Sequence, residues 1–434
     1  MHRSVCAIAA LLLTSSAALA AIPDRALEEA ARAVDPQVVT WRRDFHQHPE
    51  LSNRETRTAK VVAEHLRSLG LEVKTGVAHN GVVGILRGGR PGPTVALRAD
   101  MDALPVTEQV DVPFKSVATA EYRGETVGVM HACGHDAHTA ILMGTAQALV
   151  ALRKDLPGTV LFVFQPAEEG APDGERGGAP LMLEEGVFEM ARPEVAFGLH
   201  VWSATPAGVI GYRSGPFMAA SDRFRIVVTG RQTHGSRPWG GVDPIVVSSQ
   251  IVMGLQTIVG RQLDITSYPA VVSVGAIKGG IRNNIIPDQV EMIGTFRTFD
   301  VAVRQQIIER MTRTAQDIAH SAGATATVEI ADDNNPVTVN DPQLTQRMLP
   351  SLERVVGKDR VVEIPYVTGA EDFAYFAHKV PSLFFFVGST PAGVDPAQAP
   401  SNHSPLFYLD ESSLPVGVRA LLGLTVDYLQ GAKR

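Results

Sequence analysis

Residues 160–170, VLFVFQPAEEG, pass directly from a run of apolar β-formers into a proline turn that carries two adjacent acids. An apolar run of this length, Val160 to Phe164, bounded by turn-forming residues, is what a strand buried on both faces requires. Val82 to Leu86, Val95 to Ala99, Val195 to Leu199 and Leu383 to Val387 read the same way. Helical spacing at 24–43, 54–69 and 137–152 lies among these runs, and Gly70 stands where a left-handed helix cap is wanted. The expected framework is therefore α/β, a mixed sheet flanked by helices.

Residues 221–330 follow a different order. Arg223 to Val228 alternates as a strand, and Asp243 caps a helix that opens with Pro244 and runs to about Val259. Strands are expected at Ala270 to Ala276 and Gln289 to Thr295, a second helix from about Val301 to Ala322 with Gly323 as its stop, and a last strand at Thr325 to Ile330. That is the β-α-β-β-α-β order of a ferredoxin-like α+β unit. The chain then divides into a framework in two pieces, 22–214 and 331–434, interrupted by an insert at 215–330. The stretch 170–180 and the segment Thr390 to Ser401 read as loops.

With 434 residues, 45% hydrophobic and 20% charged, the chain has the composition of an ordinary globular protein of two or three domains. Its net charge of −7 comes from scattered residues and forms no basic face, so nucleic acid is not an expected partner. Residues 1–20 read as a secretory signal: His2 and Arg3, an apolar run from Val5 to Leu13, and Ala18-Leu19-Ala20 before the expected cleavage. Thr14, Ser15 and Ser16 break the run well short of the roughly 20 residues a membrane span needs, so no stable membrane insertion is expected. Cleavage removes Cys6 and leaves Cys133 as the single cysteine of a periplasmic or secreted protein, with no intramolecular disulfide.

Residues able to carry chemistry gather near the ends of the expected strands. MHACGHDAH places His131, Cys133, His135, Asp136 and His138 close together, and such a grouping of imidazole and thiol points to a metal site of the zinc type. Glu168 and Glu169 follow a strand, where α/β sheets collect ligands. Adjacent side chains diverge, so one acid can bind metal while the other takes a proton from water. His200 closes AFGLH, His403 lies in SNHSPLF, and Asp100 and Asp102 in LRADMDALP also end a strand. Acids beside imidazole ligands orient them; Glu371 and Asp372 are a further candidate support, or the N-terminal acids of a helix. Read alone, each has a plainer alternative: a solvated Glu-Glu loop, a buried inert thiol, a turn aspartate.

Taken together, LRADMDALPV, MHACGHDAHTA, PAEEG, GLHVW, THGSRPWGGVDPI, NNIIPD, GAEDFAYF and HSPLF resemble, in order and across nearly all the mature chain, the aminoacylase, hippurate hydrolase and indole-acetyl-amino-acid hydrolase group of co-catalytic dinuclear metallopeptidases, clan MH. The resemblance implies that Cys133, His135, Glu169, His200 and His403 bind two divalent ions, Mn, Zn, Co or Ni. It implies Glu168 as general acid/base and Asp102 as the metal-supporting aspartate. Asp100 stands where other branches have a ligating histidine, and Cys133 where they have a carboxylate. His234 and Asn284 match residues that help hold the substrate carboxylate or the developing oxyanion, and the insert corresponds to a lid and dimerisation domain, so a homodimer or higher homo-oligomer is expected.

The expected reaction is cleavage of the amide bond of a small N-acyl amino acid by metal-activated water, Glu168 taking the water proton and returning it to the leaving amine. A carboxypeptidase acting on short peptides or conjugates is the nearest alternative within the family. Two rivals differ in kind: Cys133 as a nucleophile with a histidine base, and an exported solute-binding protein without turnover.

Overall fold

The structure, a computed structural model, describes residues 21–332 and 334–431; the expected signal at 1–20 lies outside them. All five apolar runs become strands of one eight-stranded sheet. Its order is Glu72–Val77, Gly81–Arg87, Pro157–Gln165, Arg90–Asp100, Val195–Pro206, Ser382–Thr390, Ile210–Tyr212 and Val361–Glu363. The four strands from Pro157–Gln165 to Ser382–Thr390 run parallel, and antiparallel partners on either flank make the sheet mixed.

Alternate residues of these strands serve opposite faces. Val95, Leu97, Val160, Phe162, Phe164, Phe385 and Val387 join one core with the helices Asp24–Gln47, His135–Ala151 and Ser413–Leu429. Ala96, Leu161, Val163, Phe384 and Phe386 join a second with Gly178–Glu184 and Phe373–Ala377. Both faces are buried, which is why the runs lack alternating polarity. Phe162, Phe164, Phe197, Phe384, Phe385 and Phe386 are fully buried, each contributing about 1.5–3 kcal/mol of apolar burial.

Residues 220–330 contain the six expected elements in the expected order, Ala220–Thr229, Pro244–Thr257, Val271–Gly279, Gln289–Thr298, Val301–Ser321 and Thr325–Ile330, together with two short strands the reading did not include, Thr233–His234 and Ile285–Ile286, which pair with each other. The four longer strands form an antiparallel sheet ordered Val271–Gly279, Gln289–Thr298, Ala220–Thr229, Thr325–Ile330. Asp243 accepts from the N–H groups of Ile245 and Val246 with Pro244 opening the helix, and Asp300 caps the second helix through Val303 N–H. Phe224, Ile226 and Val228 pack against Ile251, Leu255, Ile307 and Met311 of the two helices. On the opposite face Arg225 reaches Glu291 and Glu329, so here the strands do alternate.

One loop expectation is corrected: within 170–180, Gly178 already opens the helix Gly178–Glu184, which has no side-chain cap and buries only Ala179 and Met182 beyond Gly178 itself. So short an element has no period to read. Among the described residues no helix is long and apolar enough to cross a membrane.

Candidate metal and catalytic site

The strands Arg90–Asp100 and Pro157–Gln165 stop at the same edge of the sheet, and the helix His135–Ala151 starts there. His200 is corrected from strand end to strand middle: Val195–Pro206 continues beyond it, paired to Ser382–Thr390 through Phe386. Its pairing with Arg90–Asp100 ends at Gly198, so His200 still emerges where that neighbour has turned away. Gly134, just before the helix, has φ +98, and a Cβ there would lie 2.3 Å from Val201 Cγ2. Gly134→Ala combines a left-handed penalty with overpacking and is expected to destabilise by about 2–5 kcal/mol, measured by urea unfolding.

The residues read as ligands converge. Cys133 Sγ is 3.2 Å from His200 Nε2 and 3.2 Å from His403 Nε2. His403 Nε2 is 3.1 Å from Glu169 Oε1. His135 Nε2 lies 4.0 Å from Glu169 Oε1 and 3.9 Å from Glu168 Oε2. Cys133, His135 and His200 form one group able to hold a cation, and Cys133, Glu169 and His403 a second, with the sulfur common to both.

Outer partners fix these groups. Asp102 Oδ1 and Oδ2 accept from the backbone N–H of Glu168 and Glu169, at 3.1 and 3.0 Å, and Oδ1 stands 3.3 Å from His135 Nδ1. His200 Nδ1 donates to the Val201 carbonyl at 2.6 Å, which turns the bare Nε2 of the neutral ring towards Cys133. The His403 loop is stapled by Asn402: its Oδ1 accepts from Ser203, and its Nδ2 donates to the carbonyls of Cys133 and Val201. Beneath Glu168, Arg98 binds Asp100, Glu371 and Asp372, and Asp372 N–H points at Glu168 Oε1 at 3.4 Å. Glu371 and Asp372 thus do support the site, while also preceding the helix Phe373–Ala377.

Burial, then Glu371, Glu169 and Asp372, push the Glu168 carboxyl well above its usual range, with Arg98 opposing. Burial and the acids Glu169, Glu168 and Asp100 likewise push the Cys133 thiol well up. This is the opposite of the electropositive setting that activates a nucleophilic cysteine. Burial and the neighbouring His138 ring hold His200 well below the imidazole range. Burial also works against a charged His135, but Asp100, Asp102 and Glu169 outweigh it and lift that ring to about 10.

The donors fit divalent cations. Both nitrogens of His135 and Oε1 of Glu169 are buried without an aligned hydrogen-bond partner among the described residues, even where a charged neighbour is near. A buried polar atom left so is costly, and a thiolate, imidazoles and a carboxylate around one hollow are the donors of a borderline ion.

Three members of MHACGHDAH belong to neither group that shares the Cys133 sulfur. His138 donates from Nδ1 to Asp100 and accepts Val201 N–H at Nε2, so both nitrogens are engaged. Asp136 pairs with Arg42 and His46. His131 is buried, with neither nitrogen hydrogen-bonded among the described residues, and burial lowers it to about 4. His234 and Asn284 lie side by side on the insert, where Gly235 N–H donates to the Asn284 carbonyl. Both are exposed, and among the described residues no hydrogen bond or ion pair joins them to the cluster.

The sequence profile described as peptidase family M20/M25/M40 matches residues 96–427. The chain is 42% identical over 403 residues to thermostable carboxypeptidase 2 of Saccharolobus solfataricus, a match spanning 93% of this chain and 98% of that protein. It is 38% identical over 405 residues to N-acetylcysteine deacetylase of Bacillus subtilis, spanning 93% and 100%. Among solved structures, the Bacillus subtilis YXEP protein, described as a dinuclear metal binding peptidase from the M20 family, aligns with a TM-score of 0.78 at 36% identity, over 92% of this chain and 99% of that one.

Proposed function

From the premise that this chain belongs to peptidase family M20/M25/M40 and is a metal-dependent hydrolase acting on amide bonds, we propose that it cleaves the amide bond of small N-acyl amino acids. The observation that carries this reading is the convergence of Cys133, His135, Glu169, His200 and His403 into two groups that share the Cys133 sulfur, with Glu168 beside them. Those five residues would hold two divalent ions, and the thiolate favours the softer of manganese, zinc, cobalt and nickel. Ions held there would supply Lewis-acid polarisation of the scissile carbonyl and acidify the attacking water.

The chain's own residues do the rest. Glu168, its side chain 9% exposed, takes the water proton and delivers it to the leaving amine. Asp102 keeps His135 and the Glu168-Glu169 turn in place. His234 and Asn284 serve the substrate carboxylate or the oxyanion, from the same subunit or a partner, and the ferredoxin-like insert at 215–330 acts as lid and dimerisation domain. Export through the 1–20 signal places the enzyme in the periplasm or outside the cell.

A second reading, cleavage of short peptides, is favoured by the carboxypeptidase relative at 42% identity. The deciding experiment offers N-acetyl, N-benzoyl and indole-acetyl amino acids beside dipeptides and scores the released amine. The expected result is release from the N-acyl compounds, abolished by chelator and restored by added divalent metal. Preference for dipeptides would favour the second reading. Loss of activity on thiol alkylation with no response to chelator would transfer the chemistry to Cys133.

A further inference from the structure

Glu55 is fully buried, 0% exposed, and no salt bridge to it occurs among the described residues. It occupies the N-cap position of the helix Thr56–Ser68, yet its side chain makes no capping bond. Instead Oε1 accepts from the backbone N–H of Asn53 and of Ala167, both at 2.9 Å, and Oε2 accepts from Asn80 Nδ2 at 3.2 Å. A buried acid used only to receive neutral donors is an expensive way to stabilise a helix end.

The second of those donors explains the arrangement. Ala167 has φ +54, in the left-handed region that a side chain with a Cβ avoids. It immediately precedes Glu168 and Glu169, whose N–H groups are both held by Asp102. Three successive backbone N–H groups, 167 to 169, therefore end on two buried carboxyl groups. The grip is cross-tied: Ser52 donates to Asp102 at 2.7 Å, and Asn53 Nδ2 reaches Glu175 and the Arg176 carbonyl. The 52–55 turn and the 167–169 turn are one unit.

We propose that Glu55 is a positioning residue that holds Ala167 in its left-handed conformation, and so aims Glu168 and Glu169 at their separate places. With Ala167 so turned, Glu169 meets His403 while Glu168 lies towards Asp372. The inference rests on the reading of Glu168 as general base and Glu169 as metal donor.

The test compares wild type with Glu55→Gln, Glu55→Ala and the double variant Glu55→Ala/Ala167→Gly. It reads kcat and KM on an amide substrate, and backbone amide exchange in the peptide covering residues 164–170. Glu55→Ala is expected to lower kcat about 30–100-fold, the scale of a misplacement near 1 Å, with KM within about threefold and faster exchange in that peptide. Glu55→Gln keeps an acceptor and is expected to lose about 3–10-fold. Because glycine enters the left-handed region freely, Ala167→Gly should return at least about tenfold of the lost kcat.

Unchanged kcat and exchange in the folded Glu55→Ala protein, with only a lower melting temperature, would overturn the proposal, as would failure of Ala167→Gly to restore turnover. If Glu55→Ala does not fold, Glu55→Gln decides by the same two readings. If wild type cleaves no amide substrate, the functional reading fails alone, since exchange at 167–169 still reports the hold on the turn.

Discussion

Glu168→Ala is expected to keep its metal and to lose about 10²–10⁴ of kcat, the usual contribution of a general base. The two effects separate because Glu168 lies outside both groups that share the Cys133 sulfur, although it forms a third group with His135 and Glu169. Its carboxylate instead faces Asp372 N–H on one side and stands 3.9 Å from His135 on the other. Truncation removes the proton acceptor while Asp102 continues to hold the backbone of residues 168 and 169. Metal analysis and steady-state kinetics on one preparation check this. Normal turnover would remove Glu168 from its role, and loss of metal would make it a ligand.

Cys133→Ala is expected to empty both metal positions and to lower turnover by more than about 10²-fold. Partners that merely orient a ligand already account for 10–100-fold in affinity, and this sulfur is a donor common to both groups. The fold should tolerate the change, because the side chain, though buried, is small and belongs to neither hydrophobic core. A nucleophilic cysteine predicts a different outcome, with activity lost and both ions retained, so metal content measured by mass spectrometry separates the two.

Much of this was legible in the residues. The five central strands betrayed themselves because a strand covered on both faces has no polar side, and the insert's helices because Asp243-Pro244 and Gly323 mark where they begin and end. Asp341-Pro342 carries the same start signal for the helix Pro342–Val356. Ser413–Leu429 is apolar almost all round, so it shows no amphipathic stripe to find. At the site, the donors implied by the family resemblance, Cys133, His135, Glu169, His200 and His403, do meet, with the expected base Glu168 beside them.

The density of MHACGHDAH, however, could not say which of its members face the hollow. Gly134 begins a helix in the middle of the motif, and the helical turn sends His138 to Asp100 while His135 stays at the cluster. Glu55, Arg98 and Asn402 were not legible at all. The partners that tie them to the site lie far along the chain, 112 residues for Glu55 and Ala167, 274 for Arg98 and Asp372, 269 for Asn402 and Cys133, even though Glu55 and Arg98 also have partners two residues away. Nothing local in a lone buried acid, arginine or asparagine reveals such a contact.

Anomalous diffraction from crystals of the intact protein grown with manganese or zinc bears most directly on the claim that five separated side chains form a two-ion centre. Two peaks are predicted in one hollow, the first bounded by Cys133, His135 and His200 and the second by Cys133, Glu169 and His403. A single peak, or peaks only at sites away from the Cys133 sulfur, would contradict it.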